Sequence, residues 1–196
     1  NNNNQEILNL LMNENEIENE CFRNCTKLRQ ITIPSSVTKI GDDAFYECSS
    51  LTQITIPSSV TSIGKDAFRE CSSLTKITIP SSVTSIGDGA FSGCYSLKQI
   101  SISSSIKIIG NNVFNYCKLT QITIPSSVTS IGNYAFSGCT SLTRITIPSS
   151  VTSFGNDIFD GIKTLEITGS IKYIPNELFS YCSSLTQITI PSSVTS

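Results

Sequence analysis

The sequence has no histidine and no tryptophan, and only 14% of its 196 residues are charged. Without histidine, Ser-His-Asp catalysis, Cys-His catalysis and histidine metal sites are excluded. The 13 Lys and Arg against 15 Asp and Glu give a net charge of −2, which argues against nucleic-acid binding by bulk positive charge. No apolar run approaches the ~20 residues of a membrane span. We therefore expect a protein that is not an enzyme, with no cofactor, no metal, no nucleic-acid partner and no membrane span.

What the sequence does contain is a repeat, of which Leu51–Ser73 is one complete copy. With its leucine as position 0, copies open at Leu28, Leu51, Leu74, Leu97, Leu119, Leu142, Ile162 and Leu185. The copy that opens at Leu97 is one residue shorter than that at Leu51, and the copy that opens at Leu142 is three residues shorter. Regular apolar columns at a period of about 20–29 residues are typical of a solenoid, whose coils bury their faces against one another.

We predict that residues 1–196 form a single solenoid domain. Residues 1–27 are expected to be a degenerate capping repeat, in which Leu8, Leu10, Ile17, Phe22 and Cys25 fall on the apolar columns. Residues 28–184 are the regular repeats, of about 20–23 residues each. Residues 185–196 are a truncated last repeat.

Each column of the repeat predicts a local structure. Apolar residues at positions 0, 3 and 5 predict a strand with one buried face, which proline at position 6 ends because it cannot donate to a ladder. Valine at position 9 and isoleucine at position 12 predict a short second strand. Glycine at position 13 predicts a turn with positive φ. The acidic start of Asp42–Phe45 predicts a single helical turn. The fold class is therefore a mainly β solenoid, with a parallel sheet on one face and short strands and helical turns on the other.

Two further columns hold phenylalanine and cysteine. Phenylalanine occupies position 17 in eight copies, and we expect it to form a buried spine because stacked coils supply its surroundings. Cysteine occupies position 20 in seven copies: Cys25, Cys48, Cys71, Cys94, Cys117, Cys139 and Cys182. A ladder of buried thiols is favoured, because cysteine is among the most buried residue types. Disulfides between coils and a zinc site are the alternatives; the first needs Cβ atoms turned towards each other, and the second lacks CxxC pairs.

The pattern LxxIxIPxxVxxIGxxAFxxCxx resembles the BspA-like, or Treponema pallidum-type, class of leucine-rich repeat. The Asn-rich start and the near-identical Ser/Thr-rich copies are similar to the protist versions of that class. The resemblance implies a curved right-handed leucine-rich-repeat solenoid. It also implies binding or adhesion to a protein such as an extracellular matrix or host surface protein, at the cell surface or after secretion. The sequence departs from the pattern at 162–175, where Thr168 replaces proline and Pro175 replaces glycine.

The start of the chain favours a cytoplasmic location. Asn1–Glu6 lacks the basic start and apolar core of a signal peptide. A cytoplasmic location is therefore the alternative to the cell surface.

The outward positions of the predicted sheet are positions 1, 2 and 4. They carry five basic residues and one acid, while the acidic residues gather on the helical-turn side. We predict a docking surface for an acidic or polar partner, and the alternative is a solvated face without a partner. In the irregular repeat, the monotony is broken by Glu166, Tyr173, Glu177 and Tyr181, of which Glu166 and Tyr173 are among the candidates. The candidate partner-binding residues are Arg29, Gln53, Lys76, Lys98, Gln99, Gln121, Arg144, Lys163, Glu166 and Tyr173.

Two other functions stay open. Bare sheet edges at the ends of a solenoid invite pairing, so a structural protein that assembles by end stacking, for example as a homodimer, is the second hypothesis. A threonine ladder that binds ice is a remote third one, disfavoured because Gln dominates position 2 and because sheets twist.

Overall fold

The structure is a computed structural model and describes residues 15–195. Throughout this range the chain repeats one coil, and every strand pairs in parallel with a strand of the neighbouring coil. Leu8, Leu10 and the Asn-rich start, part of the predicted capping repeat, lie outside the described residues. The predicted solenoid with a parallel sheet on one face is confirmed.

Short strands make up the regular structure of the described chain. In order they are β1 (Glu16–Ile17), β2 (Gln30–Thr32), β3 (Lys39–Ile40), β4 (Gln53–Thr55), β5 (Ser62–Ile63), β6 (Lys76–Thr78), β7 (Ser85–Ile86), β8 (Gln99–Ser101), β9 (Ile108–Ile109), β10 (Gln121–Thr123), β11 (Ser130–Ile131), β12 (Arg144–Ile147), β13 (Ser153–Phe154), β14 (Thr164–Gly169) and β15 (Gln187–Thr189).

The strands fall into two stacks. The strands that begin at position 2 form what we call the sheet face: β2 pairs with β4, β6 with β8, and β10, β12, β14 and β15 form a continuous sheet. The predicted second strands form the other stack, as β1-β3-β5-β7 and β9-β11-β13. Except after β8 and β14, proline follows the face strands as predicted and opens a turn, in which the Val37 N–H donates to the Pro34 carbonyl at 3.1 Å.

The phenylalanine spine is confirmed. From Phe22 to Phe159 the rings are fully buried, and each stacks on the ring of the next coil with centroids 5.0–6.2 Å apart. Phe179 continues the stack at 5.8 Å and is half-buried. Because each coil provides one wall of the core for the next, the coils stabilise each other.

The cysteine column is a ladder of free thiols, as favoured over disulfides. Five of the thiols are buried, and each donates a hydrogen bond to the phenylalanine carbonyl of the preceding coil. Cys48 Sγ lies 3.1 Å from the Phe22 oxygen, and Cys139 Sγ lies 3.0 Å from the Phe114 oxygen. The ladder therefore ties coils together without a covalent bond.

The helical turn is not found between residues 15 and 195. In its place, consecutive turns contain left-handed residues at positions 15 and 19, such as Asp43 (φ 53°) and Glu47 (φ 55°). Every second N–H group of this segment donates to another coil. Asp43, Phe45 and Glu47 donate to carbonyls of the next coil at 2.7–2.8 Å. In a helix these N–H groups would donate to carbonyls of the same coil. Hydrogen bonds between coils have therefore replaced the helical turn. We call this stretch, positions 14–21, the turn side.

The expectation of positive φ for glycine at position 13 is wrong. The left-handed glycines are Gly89, Gly93, Gly138, Gly161 and Gly169 instead. Glycine at position 13 is needed for close approach, because a Cβ on Gly132 would lie 2.7 Å from the Gly110 carbonyl carbon in the preceding coil. Beside it, aspartate or asparagine at position 14 caps the next coil, as when Asp42 Oδ1 accepts from the Lys65 N–H at 2.7 Å.

Candidate functional site

The sheet face presents an exposed polar surface because inward isoleucines alternate with outward polar residues. In β4 and β6 the central isoleucine is buried, while the glutamine, lysine and threonines around it are exposed. Of the predicted candidates on this face, Glu166 alone is half-buried. The exposed ones are Arg29, Gln53, Lys76, Lys98, Gln99, Gln121, Arg144 and Lys163.

Four of these candidates line one open groove of about 790 Å³. Lys76 and Arg144 stand in its first and last coils, with Gln99 and Gln121 between them. Lys76 and Arg144 are therefore three coils apart, at opposite ends of the groove. Threonine and serine hydroxyls of position 4 complete the polar lining. The arrangement can bind a carboxylate group at the Lys76 end and amide or hydroxyl groups in the middle.

The groove crosses a break in the sheet face. β8 and β10 are neighbours in the solenoid but belong to separate sheets, at the place where the repeat is one residue shorter. A second open groove of about 560 Å³ adjoins the first, and Gln53 and Lys76 line it. Arg29, Lys98 and Lys163 line neither groove.

The strand register next to Arg144 differs from the sequence alignment. The alignment puts Arg144 opposite Thr164, but β12 and β14 pair Arg144 with Glu166, two residues further on. Arg144 Nε and Nη2 then lie 2.9 and 2.7 Å from Glu166 Oε2. A slip of two residues keeps every side chain on its own face, so the core is unaffected. Its effect is on charge, because Glu166 neutralises one end of the groove.

Tyr173 is not on the sheet face. It lines a separate cleft of about 270 Å³ together with Pro175 and Glu177. The structure therefore brings Lys76, Gln99, Gln121 and Arg144 together and leaves Tyr173 apart.

Of the exposed tyrosines on the turn side, sequence reasoning missed Tyr95, Tyr116 and Tyr134, while Tyr181 was noted only as part of the irregular repeat. Their exposed fractions are 49% for Tyr95, 56% for Tyr116, 42% for Tyr134 and 83% for Tyr181. Partial burial and the neighbouring Glu70, which accepts its hydrogen bond at 3.4 Å, raise the pKa of Tyr95. They could have been predicted from the sequence, because they are aromatic residues in turn columns that otherwise hold acids and small residues.

At the N-terminal end of the turn side, arginine side chains contact a tyrosine ring and acidic residues of the same chain. The Arg23 guanidinium lies 4.6 Å from the centroid of the Tyr46 ring, and that of Arg69 lies 5.9 Å away. Arg23 also forms ion pairs with Glu20 and Asp43 at 3.5 and 3.6 Å. Aromatic rings and carboxylates of this side thus share bound guanidinium groups.

The described part was searched for metal-ligand clusters and for membrane-spanning helices. Over residues 15–195, no three Cys, Asp or Glu side chains come together in a way that could hold a metal ion. The same range has no helix with the length and apolar character that crossing a membrane requires.

Comparisons with known proteins agree with this geometry. The family model for the BspA type leucine rich repeat region matches residues 1–120 and 107–196, with six copies. A comparison with curated proteins gives no match.

Solved structures include similar solenoids. A leucine rich repeat protein of T. pallidum is 32% identical with a TM-score of 0.69, over 74% of this chain and 69% of its own. One from Bacteroides ovatus is 27% identical with a TM-score of 0.54, over 90% of this chain and 64% of its own, so this chain spans just under two thirds of that protein. A leucine rich cell surface protein of Faecalibacterium prausnitzii is 27% identical with a TM-score of 0.51, over 91% of this chain and 77% of its own.

Proposed function

The chain belongs to the BspA-type leucine-rich repeat proteins, and on that premise we propose that it binds an acidic surface of a protein partner through its sheet face. Repeat proteins of this type generally bind proteins and are typically non-catalytic. The proposed role for this chain is adhesion to an extracellular matrix or host surface protein, without catalysis.

The observation that carries this proposal is the groove with Lys76 and Arg144 in its first and last coils. Positions 1, 2 and 4 hold five basic residues on a chain of net charge −2, so the sheet face attracts an acidic partner while the rest of the molecule repels it. Glu166 already pairs with Arg144 at 2.7 Å, so a partner's carboxylate would bind at the Lys76 end of the groove. Glutamines at the centre of the groove hydrogen bond to a polar partner whatever its charge.

A charge-reversal experiment tests the sheet face. The variant K76E/K98E/R144E is compared with K107E/K118E/K172E, which reverses three exposed lysines outside it. The probe is a labelled hexaglutamate peptide, and its affinity is measured by fluorescence anisotropy at low salt. We expect the first variant to lose about tenfold in affinity or more and the second about twofold or less. Equal losses in the two variants would refute a specific sheet face.

The same pair of variants serves as bait for natural partners. Wild type and both variants are incubated with solubilised matrix and cell-surface proteins, and the captured proteins are identified by mass spectrometry. A partner of the sheet face is captured by wild type and by the control but not by K76E/K98E/R144E. Capture of the same proteins by all three would contradict the proposal.

A cell-surface location is part of the proposal. It rests on the family and on a structural neighbour that is a cell surface protein. Antibody staining of intact cells should label the protein. Staining only after permeabilisation would support the cytoplasmic alternative instead.

End-to-end assembly and ice binding stay predictions. Light scattering at high concentration measures the first, and a strict monomer would contradict it. Thermal hysteresis measures the second.

A further inference from the structure

The first coil of the described chain carries an N-glycosylation sequon on its turn side. In the printed sequence, Asn24-Cys25-Thr26 is the one place where asparagine is followed two residues later by serine or threonine without proline between them. Such a triplet accepts an oligosaccharide when it lies at the surface of a secreted protein. The exposure and the contacts of these three residues therefore decide whether the sequon can be used.

The backbone of Asn24 is fixed in a turn of the solenoid. Asn24 occupies position 19, and its φ of 57° matches that of Glu47 at 55° and of Tyr116 at 56° in later coils. Its N–H donates to the Tyr46 carbonyl of the next coil at 2.8 Å, and its carbonyl accepts from the Thr26 N–H at 2.7 Å. A group attached to the side chain of Asn24 disturbs neither of these bonds.

The side-chain amide of Asn24 is not used by the fold in the described part of the chain. Other turn-side asparagines cap the next coil. Asn19 Oδ1 accepts from the Asp42 N–H at 2.8 Å, and Asn133 Oδ1 has the same role in a later coil. Asn24 is exposed, and its carboxamide forms no hydrogen bond with a described residue. Its Nδ2 can therefore form a covalent bond without loss of a contact.

The other two residues of the sequon are placed as its use requires. Thr26 is exposed, and its hydroxyl forms no hydrogen bond with the described residues. Cys25 belongs to the cysteine column and is half-buried against the core. The middle of the sequon is therefore anchored by the core, while the asparagine and the threonine on either side of it face solvent.

We propose that Asn24 accepts an N-linked oligosaccharide when the chain is secreted. A transferase brings Asn24 Nδ2 to the first sugar carbon of an oligosaccharide that is linked to a lipid diphosphate. The nitrogen–carbon bond forms, the carbon–oxygen bond to the diphosphate breaks, the lipid diphosphate leaves, and one amide proton is lost to solvent. This inference rests on the proposed cell-surface location, because only a secreted chain meets the transferase. The glycan is attached to the turn side and not to the sheet face.

The test expresses the whole chain behind a cleavable secretion leader in a eukaryotic host, with protein purified from cells and medium. N24Q and T26A remove the asparagine and the hydroxyl, and T26S keeps the hydroxyl. N24Q/E47N moves the sequon to position 19 of the next coil, where Cys48 and Ser49 complete it. Intact mass before and after treatment with a peptide N-glycosidase detects the glycan, and calorimetry gives the melting temperature.

We expect one glycosidase-sensitive glycan on the wild type, on T26S and on N24Q/E47N, and none on N24Q or T26A. The glycosylated wild type should melt no lower than N24Q, because no contact of the fold is displaced. An unmodified wild type, an equal glycan on N24Q, an unmodified N24Q/E47N or a lower melting temperature of the glycosylated protein would overturn the proposal.

The leader makes this test independent of the native location. A negative result refutes the glycosylation site alone and leaves the cell-surface location standing. Antibody staining of intact cells tests that location separately, and a protein found only inside the cell would overturn both proposals.

Discussion

At the scale of single residues, the phenylalanine spine is the most sensitive part of the core. Phe91 is fully buried between Phe68 and Phe114, at 5.4 and 5.9 Å. Phe91→Ala leaves a cavity that neighbouring coils cannot fill, so we expect it to lower the free energy of unfolding by about 3–5 kcal/mol. Urea denaturation measures the change. Phe179→Ala, at the half-buried end of the stack, is the control and should cost less.

The buried thiols make stability fall at alkaline pH. Burial raises the pKa of Cys48 and Cys139 from the usual 9.0 to about 12. Below pH 9 both thiols are protonated whether the chain is folded or not. Between pH 9 and 12 only the unfolded chain loses these protons, so each thiol lowers stability by about 1.4 kcal/mol per pH unit.

The measurement is the urea midpoint at pH 8 and pH 10.5. The wild type should lose stability across this interval more steeply than C48A/C139A, which lacks two of the titrating groups. The same slope in both proteins would show that other groups govern the alkaline limit.

At the scale of the coil element, glycine serves two purposes that substitution can separate. Gly132 is needed for close approach, since its Cβ would lie 2.7 Å from backbone of the preceding coil. Gly161 is needed for its φ of +78°, with no atom nearer than 3.6 Å to its Cβ. Asparagine tolerates a left-handed φ but not a backbone clash.

We therefore expect Gly132→Asn to lower the melting temperature strongly, at a cost of about 1–3 kcal/mol or more. Gly161→Asn should cost less than about 1 kcal/mol. Differential scanning calorimetry of the two variants decides between these purposes. Equal losses would mean that close approach does not govern position 13.

The strands and the spine could be predicted because their signals are local. Alternation along Ile31–Ile33 fixes the buried face, and Phe at position 17 repeats without exception in the copies that reach it. The turn side could not be predicted, because its N–H groups bond to another coil and because no local pattern distinguishes that arrangement from a helical turn.

The candidate site, like the fold, could be predicted from the sequence only in part. The line from Lys76 to Arg144 follows from one shared column in neighbouring coils, so the sequence was sufficient. The Arg144–Glu166 pair was hidden because a slip of two residues leaves the hydrophobic pattern unchanged. The cleft lined by Asp157 and Glu177 was not predicted, because it depends on how two coils pack and not on one sequence column.

At the scale of the whole molecule, equivalent coils should be interchangeable. Deleting Leu51–Ser73 joins Ser50 to Leu74, which restores every column and brings Phe45 next to Phe91. We expect this variant to fold with unchanged circular dichroism per residue and with lower stability, because one interface between coils is lost.

Deleting half a coil, residues 51–62, is the control. It leaves a strand column without its neighbours, so the array should lose its cooperative melting transition. If the full-coil deletion melts as poorly as the half-coil deletion, the coils are not equivalent units.

Stacked coils that are joined by hydrogen bonds and ring contacts, with free thiols in the cysteine column at position 20, have a mechanical consequence. We expect tension on the two ends of such a molecule to peel one coil at a time, because the cysteine column supplies no covalent cross-link to spread the load. Each coil as long as Leu51–Ser73 then releases about 75–80 Å of chain. We therefore expect the solenoid to lengthen in steps under tension.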